Sequence, residues 1–502
     1  MLRTGKKFLA GLKDGRKVYI GGEEVKDVVE HPAFRGAAQT LARLFDHKAD
    51  PANGEPMSFE EEGEEFSSYF LMPRTREDLV RRSRAHYAIA ERTYGLFGRS
   101  PDHVASFVTG LAMNPEILDR DGDSCSGHIT DYYEHLRKND LYASYAVHPA
   151  PQSKNENIFG DTRGYQAVLQ VVDEDDNGVI LNGMKMLATA GVFCDEVWIG
   201  NLTPISDDKK KEAITCAVPM NAAGLTLWVR KPMELYAATE FDSPLASNFD
   251  ESDVMLIFDN VRVPWERVFV HDRAALSREI YVQTASHTLG NHQSNVRFHA
   301  KLRFIAGIIH KITQSAGVDR IPVVAEKLGR LAAWEAALGG MIQGQIQDCE
   351  DLGNGFVNFN RRYMYAALNW CQEHYPEIIA MMRELSGGSV FQMPADISVL
   401  ENPATRDIFR DYWAAGDETA VDRVKLYRLA WDMYGSEFGS RQQQYENFFA
   451  GPSFIVRNHS FREAPWSAFG AVVDGLLDSF PVPGESESSR LVTAASHSLN
   501  RV

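Results

Sequence analysis

The chain changes twice from one pattern of apolar residues to another, and these changes constrain its fold most. Before about residue 148 the spacing of apolar residues is typical of helices, and beyond residue 272 it is helical again. Between these stretches, short runs of β-type residues alternate with turn residues. The sequence therefore predicts a mainly α protein with a central β domain, an α+β fold. The predicted units are a helical domain over 1–147, a β barrel or sandwich over 148–272, a four-helix bundle over 273–480 and a tail over 481–502.

Local signals mark several element boundaries. Thr75 and Asp78 form a predicted capping box at a helix N-terminus, and Pro101 stands where the next helix is expected to begin. In the β domain, Leu225–Val229 alternates apolar and polar residues as a half-buried strand does. Asn177–Gly178 and Asn182–Gly183 are both predicted hairpin turns, because asparagine and glycine tolerate the positive φ of tight turns.

Four long amphipathic segments predict the bundle. Two of them carry apolar residues at helical spacing, which are Leu302, Ile305 and Ile309 in the first and Val324, Leu328, Leu331, Leu338 and Ile342 in the second. Two further helical segments are predicted over about 359–385 and 419–449. Gly387–Gly388 and Gly451–Pro452 are expected to end them.

The composition disfavours several classes of protein. The net charge of −17 disfavours nucleic acid binding, because phosphates need basic patches. The five cysteines are scattered, so neither a disulfide framework nor a zinc site is predicted, and a cytoplasmic location is expected. No apolar run of about 18 residues and no secretory signal is found, so no membrane association is expected. No glycine-rich dinucleotide fingerprint follows a strand, so a Rossmann domain is not expected, and no metal-binding motif is found.

Four motifs carry a resemblance to a known family. They are Gly98–His103, Pro151–Gln152, Asn291–Gln293 and Gly435–Gln442. In this order they resemble the large component of the 4-hydroxyphenylacetate 3-monooxygenase family, which also includes chlorophenol and nitrophenol monooxygenases. The order of domains, with Phe258–Pro264 joining β domain to bundle, likewise resembles the acyl-CoA dehydrogenase superfamily.

The resemblance implies a two-component aromatic monooxygenase. A separate NAD(P)H-dependent reductase is expected to supply reduced FAD, which reacts with dioxygen on this protein to give a flavin hydroperoxide. The distal oxygen of that adduct then hydroxylates an activated phenol. A homotetramer is expected, with FAD between the β domain and the bundle.

Arg99 and His103 are the first candidates for contact with the substrate. They are four residues apart, about one turn if a helix begins at Pro101, so both are expected at one pocket. An arginine there can hold a phenolate or a carboxylate, and we expect it to act in substrate binding and in catalysis. In the hydroxyphenylacetate enzymes a tyrosine is expected in place of His103. Exposed surface side chains are the plain alternatives for both residues.

His292 is the expected catalytic base, a role that the resemblance implies. Aromatic hydroxylation is electrophilic, and a phenolate donates electrons far better than a neutral phenol, so a base with a pKa near the working pH is suitable. The plain alternative is a helical histidine that lies on the surface or is satisfied within the core. Two further substrate-binding residues, Asn201 and Leu202, are expected from a loop of the β domain.

The residue at position 146 bears on the identity of the substrate, because a histidine that is expected there is absent. In the hydroxyphenylacetate hydroxylases a substrate-binding histidine is expected six residues before the glutamine that matches Gln152, and here that residue is Ala146. A chlorophenol, a nitrophenol or another small aromatic compound is therefore the expected substrate. The resemblance implies FAD contacts at Ala146, Val147, His148, Gln152, Thr189, Arg441, Gln442 and Gln444. The plain alternatives are polar residues of a turn or strand edge for Gln152 and Thr189, and an ordinary polar surface or interface for the helix face of Arg441.

Two other activities on this fold are the alternatives. A 4-hydroxybutyryl-CoA dehydratase would need cysteines near Arg99 and His103 and at His299, and without thiolates an iron–sulfur cluster has no ligands. An acyl-CoA dehydrogenase would need a catalytic carboxylate in the bundle, which the sequence does not identify. A helical scaffold without catalytic function is the third alternative.

Overall fold

The computed structural model describes residues 2–122, 124–151, 167–202 and 204–479 of the chain. These residues form a layer of helices, two β-sheets and a bundle of long helices, so the expected mainly α fold with a central β region is confirmed. The expected flavin contact Gln152 and the expected tail 481–502 lie outside the described residues.

Helices dominate the first part of the chain. They are α1 (Gly5–Gly11), α2 (Arg35–Ala49), α3 (Gly54–Met57), α4 (Arg76–Arg92), α5 (Asp102–Ala112) and α6 (Ser126–Asn139). The predicted capping box of α4 is confirmed, since Thr75 Oγ1 accepts from the Asp78 amide and the Asp78 carboxylate accepts from the Thr75 amide. Helix α5 begins directly after Pro101, as predicted.

The strands fall into two sheets and two small hairpins. They are β1 (Lys17–Ile20), β2 (Glu23–Val25), β3 (Ser58–Glu61), β4 (Glu64–Ser67), β5 (Ala143–Ala146), β6 (His148–Pro149), β7 (Gln170–Asp175), β8 (Gly178–Thr189), β9 (Glu196–Ile199), β10 (Thr215–Pro219), β11 (Leu225–Val229), β12 (Asp253–Val263), β13 (Val268–Val270), β14 (Glu350–Asp351) and β15 (Val357–Asn358). The larger sheet has the order β2-β1-β11-β12-β8-β6, with β7 also on β8, and the smaller has the order β13-β10-β9-β5.

Two strands of the larger sheet come from the stretch that was expected to be helical. Strand β1 pairs in parallel with β11, with Val18 opposite Leu227, and β2 pairs with β1. Both of these side chains are fully buried. The short run around Val18 therefore joins the sheet, because its apolar side chains complete the core beneath β11.

One predicted hairpin is confirmed and the other is wrong. Asn177–Gly178 joins β7 to β8, with Asp175 paired to Gly178. Asn182–Gly183 instead lies in the middle of β8, where Gly183 has a φ of 114° and pairs with Phe258 of β12. A Cβ at Gly183 would lie 2.4 Å from the Val168 carbonyl oxygen. Glycine is needed there for a close approach of the neighbouring backbone.

One short helix, α7 (Ala246–Phe249), precedes β12, and the remaining helices follow β13. The later helices are α8 (Leu276–Val282), α9 (Ser286–Ser315), α10 (Pro322–Gln347), α11 (Arg361–Ser386), α12 (Ser398–Glu401), α13 (Pro403–Trp413), α14 (Ala420–Tyr434), α15 (Glu437–Asn447), α16 (Ser453–Glu463) and α17 (Trp466–Leu477). Helices α9, α10, α11 and α14 form the bundle. The stretch 419–449 is two helices, because Ser436 caps a new N-terminus by accepting from the Gly439 amide.

Helix α9 lies at the centre of the molecule and is buried along most of its length. Its predicted apolar stripe, Leu302, Ile305 and Ile309, is buried as expected. Its first half also buries a run of polar side chains, between Thr288 and Lys301, against α4, α5 and α11. Buried polar groups need hydrogen-bond partners, so this run of polar side chains indicates that a functional site adjoins α9. In the part of the chain that the structure describes, no helix is both long and apolar enough to cross a membrane.

Candidate active site

Arg99 and His103 lie beside the same two aromatic rings. The guanidinium carbon of Arg99 is 5.2 Å from the ring centre of Tyr145, on β5, and 4.0 Å from that of Phe449, just after α15. The His103 ring centre lies 5.7 Å and 6.1 Å from the same rings. The connection before α5 and the first turn of α5 therefore bring both side chains to one place, as their spacing predicts.

Arg99 is buried with one half of its guanidinium group unused. Its Nη2 donates to the Tyr145 hydroxyl at 3.3 Å and to the Phe449 carbonyl oxygen at 3.0 Å. Its Nη1 is buried without a hydrogen-bond partner, and no acidic side chain among the described residues pairs with this arginine. A buried cation with a free donor is costly unless something binds there.

His103 has one used and one unused ring nitrogen. Its Nδ1 is 3.0 Å from the Gln293 Oε1 atom, and its Nε2 is buried with no partner in the described residues. Burial and the positive charge of Arg99 lower the pKa of His103 well below its usual value. The ring is therefore neutral at physiological pH, and its free nitrogen lies in the group of rings that surrounds Arg99.

A buried hydrogen-bond network stands behind His103. The Gln293 Nε2 atom lies 3.1 Å from Ser100 Oγ and 3.3 Å from Asp102 Oδ1. Ser100 Oγ donates to Asp102 Oδ1 at 2.5 Å, and the other carboxylate oxygen is 2.7 Å from His86 Nδ1. Gln293 thus connects His103 on α5 to a fully buried acid at the start of the same helix.

His292 occupies a different environment. Its Nδ1 is 2.7 Å from the Gln345 Oε1 atom and its Nε2 is 3.0 Å from Ser83 Oγ. Its ring stacks on Phe359 with a centre-to-centre distance of 3.5 Å, and burial lowers its pKa well below the usual value. Both ring nitrogens are engaged with protein atoms, so the base role expected for His292 does not follow from this geometry.

Asn201 and Leu202, the two loop residues expected to bind the substrate, differ in whether their side chains are free to do so. Asn201 is buried, its Oδ1 accepts from Lys185 Nζ at 2.7 Å, and its Nδ2 donates to the carbonyl oxygens of Glu212 and Ile214. This amide holds its own loop in place and has no free group for a substrate. Leu202 packs against the same apolar cluster as Tyr145.

Arg441 and Thr189, expected flavin contacts, meet at one carboxylate. Arg441 donates to Asp253 from Nη2 at 2.8 Å and from Nε at 3.1 Å, and Thr189 Oγ1 donates to the same Asp253 at 2.7 Å. Arg441 Nη1 also lies 3.2 Å from Glu251, which accepts from the Gly98 amide. Burial alone would lower the pKa of Arg441, but Asp253 and Glu251 raise it. Its positive charge is therefore already balanced by two protein carboxylates.

Gln442 and Gln444 point in different directions. Gln442 is fully buried, its Oε1 accepts from Lys301 Nζ at 2.6 Å, and its Nε2 donates to the Leu96 carbonyl oxygen at 3.3 Å. Gln444 is exposed on the other side of α15. Gln442 therefore has a structural role within the bundle, and a single ligand cannot contact both side chains from one face of the helix.

Ala146, Val147 and His148 form the edge between the two sheets. Ala146 ends β5 and is opposite Ile199 of β9, whereas His148 begins β6 and is opposite Met186 of β8. Ala146 and Val147 are buried, and the His148 side chain is exposed. This segment directly follows Tyr145, so a ligand along it lies next to Arg99.

Tyr445 provides an observation on whether a flavin fits here. Its ring centre lies 4.2 Å from the guanidinium carbon of Arg441 and 5.7 Å from that of Arg99, and its hydroxyl is buried with no partner in the described residues. A buried free hydroxyl between the two arginines fits the polar edge of a flavin ring. Arg441 fits the phosphates of FAD less well, because its charge is already balanced.

Several residues of this site are missing from the sequence-based set. They are Asp102, Tyr145, Gln293, Tyr445 and Phe449. Gln293 belongs to the predicted motif 291–293, but it projects from α9 about 100° away from His292, and the sequence does not show which of the two faces α5. Tyr445 and Phe449 follow the predicted motif 435–442 by about one and two turns, but only the fold shows that they reach Arg99.

Curated relatives cover most of the chain. It is 31% identical over 464 residues to the oxygenase component of a 4-nitrophenol 2-monooxygenase from a Rhodococcus species, which covers 90% of this chain and 87% of that protein. It is 30% identical to the oxygenase component of 4-hydroxyphenylacetate 3-monooxygenase from Thermus thermophilus, covering 90% of this chain and 92% of the relative.

Solved structures are also similar to this chain over nearly its whole length. The oxygenase component of a 4-hydroxyphenylacetate 3-monooxygenase, in complex with FAD and 4-hydroxyphenylacetate, matches with a TM-score of 0.88 and 28% identity over 95% of this chain and 98% of that one. An archaeal 4-hydroxybutyryl-CoA dehydratase from N. maritimus has a TM-score of 0.84 at 18% identity over 97% of each chain, which shows a shared fold alone.

Models of one family account for nearly all of the chain. The model described as the N-terminal part of 4-hydroxyphenylacetate 3-hydroxylase matches residues 4–270, and the model of the C-terminal part matches residues 277–478. The chain therefore belongs to the 4-hydroxyphenylacetate 3-hydroxylase family.

Proposed function

We propose that this chain, an FAD-dependent aromatic monooxygenase by its family, is the oxygenase component that hydroxylates a small phenol. Dioxygen is the second substrate, and a separate NAD(P)H-dependent reductase supplies the reduced FAD. One observation carries the proposal for this chain. Arg99 Nη1 and His103 Nε2, a donor and an acceptor, are buried without partners beside the same aromatic rings.

The residues around Arg99 suit the binding of a phenol ring. Tyr145, Phe107 and Phe449 offer aromatic surfaces, with the Phe107 and Tyr145 rings stacked at 5.8 Å. The free Nη1 of Arg99 donates to the phenolic oxygen and stabilises negative charge on it. Negative charge on that oxygen makes the ring more nucleophilic, which electrophilic hydroxylation requires. The apolar walls keep water away from the reacting ring.

FAD would lie next to this group, along residues 146–148 and against Tyr445. When bound in its reduced form it supplies the activation of dioxygen. The Tyr445 hydroxyl and the backbone beside Ala146 would hold the polar edge of the ring system. Thr189 reaches the same region from the end of β8. The role of Arg441 is to fix α15 against the β domain through Asp253.

The proposed substrate is small and needs no second polar anchor. Ala146 stands where a substrate-binding histidine is expected in the hydroxyphenylacetate enzymes, and Asn201 has no free amide group. One expected polar contact to the substrate is therefore absent, and the Asn201 side chain is not free to make another. A chlorophenol, a nitrophenol or a similar phenol fits this arrangement better than 4-hydroxyphenylacetate does.

We also propose a homotetramer in the cytoplasm. Helix α17 exposes Trp466, Val472 and Leu476, each more than half exposed, and an exposed apolar helix of this size needs a partner surface. Helix α10 exposes a row of small residues, which suits close packing against another helix. The cytoplasm is proposed because all five cysteines are free, as a reducing compartment keeps them.

The test mixes the full chain with reduced FAD and dioxygen in the presence of 4-chlorophenol, 4-nitrophenol or 4-hydroxyphenylacetate. We expect hydroxylated products, identified by mass spectrometry, from at least one of the first two. Arg99→Ala should weaken phenol affinity on the order of 30-fold, because a hydrogen bond to a charged group contributes about 2 kcal/mol. Arg303→Ala, an exposed arginine on α9, is the control. No product from any phenol would refute the proposal.

A further inference from the structure

The orientation of the Gln293 amide is fixed by its neighbours. Its nitrogen end faces Ser100 Oγ and Asp102 Oδ1, at 3.1 Å and 3.3 Å. The serine hydroxyl already donates to Asp102, so its oxygen is free to accept, and an ionised carboxylate can only accept. The donor end of the amide must therefore point at these two residues. The Gln293 Oε1 atom then faces His103 as an acceptor.

This orientation fixes the tautomer of His103. The Nδ1 atom lies 3.0 Å from Gln293 Oε1, and two acceptors cannot form a hydrogen bond, so Nδ1 carries the proton. In a neutral ring the other nitrogen, Nε2, then has a free lone pair. That nitrogen is buried and unpartnered in the described residues. The protein therefore holds a buried proton acceptor next to the same two rings, Tyr145 and Phe449, that adjoin the free donor of Arg99.

Both groups lie beside the rings of Tyr145 and Phe449, where the hydroxyl of a bound phenol would pair with both. Its oxygen accepts from Arg99 Nη1 and its hydrogen is donated to His103 Nε2. We infer that His103 is the catalytic base that accepts the phenolic proton, with Gln293 and Asp102 as positioning residues; this rests on the proposed function. The phenolic O–H bond breaks, an N–H bond forms at Nε2, and the electron pair stays on the oxygen as a phenolate beside Arg99.

The surrounding charges make this transfer dependent on the substrate. Before the phenol binds, burial and Arg99 disfavour the imidazolium form of His103. A phenolate between the two groups offsets the charge of Arg99 and stabilises the imidazolium. Asp102, acting through Gln293, stabilises it from the other side. His103 therefore gains a proton only as the phenolate forms.

Phenols of different acidity should depend on His103 to different extents. A weakly acidic phenol arrives protonated and needs His103, whereas a phenol that is already ionised in solution needs only Arg99. His103→Gln keeps an oxygen acceptor near the position of Nε2 but cannot hold a proton. It should therefore lower hydroxylation of 4-chlorophenol about 100-fold and affect ionised 4-nitrophenol far less.

The direct readout is the ultraviolet difference spectrum of 4-chlorophenol bound to the full chain, which reports the ionised fraction without turnover. We expect ionised phenol on the unaltered protein and on the control His299→Gln, whose histidine contacts Tyr87 and Glu335 instead. His103→Gln should bind the phenol in its neutral form. Gln293→Leu should lose the ionised form. Gln293→Glu should keep it, because a protonated glutamate donates to Asp102 and accepts from His103.

Three results would overturn the inference. If His103→Gln ionises bound 4-chlorophenol as the unaltered protein does, and His292→Gln does not, the proton goes to His292 and the proposed function still stands. If Gln293→Leu and Gln293→Glu behave alike, the tautomer is not set by this amide. If no phenol is hydroxylated by any of these proteins with reduced FAD and dioxygen, the proposed function fails, and this inference fails with it.

Discussion

Arg441 and Asp253 form a two-pronged ion pair between helix α15 and the first residue of β12, with Nη2–Oδ1 at 2.8 Å and Nε–Oδ2 at 3.1 Å. The pair is buried, and Glu251 shares the same guanidinium group. Removing one partner of such a pair leaves the other charge buried. Arg441→Met should therefore lower the free energy of unfolding by about 3 kcal/mol, measured by urea denaturation. Lys231→Met removes an exposed pair to Glu437 on the same helix and should leave the urea midpoint unchanged.

Glu446 gives the protein a dependence on pH in the acid range. Burial alone would raise the pKa of Glu446, but Arg297 and Lys301 lower it from 4.5 to about 2. A depressed carboxyl pKa contributes stability that is complete above pH 4.5 and is lost as the pH falls towards about 2. Glu446→Gln should therefore be less stable than the unaltered protein at pH 6, and its stability should fall less steeply between pH 4.5 and 2. Equal slopes in urea titrations across this range would contradict the assignment.

A substitution at Gly183 tests whether this residue lies within strand β8 and not in a hairpin turn. Its φ of 114° is unfavourable for any other residue, and an added Cβ would lie 2.4 Å from the Val168 carbonyl oxygen. Gly183→Ala should lower the free energy of unfolding by about 3 kcal/mol. Gly127→Ala is the matched control, because Gly127 lies in helix α6 with open space around it, and it should gain about 0.5 kcal/mol. Similar thermal midpoints for the two variants would show that β8 is not held as described.

The exposed apolar face of α17 tests the proposed assembly. Val472 is 76% exposed and Leu476 is 64% exposed, so aspartate at both positions should not disturb the fold of one subunit. It should prevent apolar contact between subunits and shift the mass in size-exclusion chromatography with light scattering towards smaller species. Asn177→Asp with Asn221→Asp adds two negative charges at exposed positions of the β domain and should leave the mass unchanged. A variant at α17 with the original mass would show that this face is not an interface.

The parts of the fold that local chemistry determines could be predicted from the sequence. The cap at Thr75, the helix start after Pro101 and the hairpin at Asn177–Gly178 each depend on a few neighbouring residues. Asn182–Gly183 has the same local signal but lies within a strand, because pairing with β12 outweighs the turn preference. That pairing joins residues far apart in sequence and leaves no local mark.

The candidate site, like the fold, could be predicted only where neighbouring residues in the sequence determine it. The four-residue spacing of Arg99 and His103 predicts their common location, since both belong to one helix start. The choice between His292 and Gln293 could not be made in this way. Helix α9 is buried on nearly all sides, so its apolar pattern does not show which polar residue faces α5. Only the positions of Ser83, Gln345 and Asp102 on other helices separate the two side chains.

Glu251 accepts from the Gly98 amide with one carboxylate oxygen and lies 3.2 Å from Arg441 with the other. One rigid acid thus joins the backbone beside Arg99 to the helix that carries Tyr445. A Cβ at Gly98 would collide with the Tyr445 ring, so the backbone at Gly98 has no room for a larger residue. Substitutions that alter the substrate range would therefore be tolerated best at a position such as Phe107, which contacts Tyr145, since a change at Gly98 or Glu251 would displace both the backbone beside Arg99 and the helix that carries Tyr445.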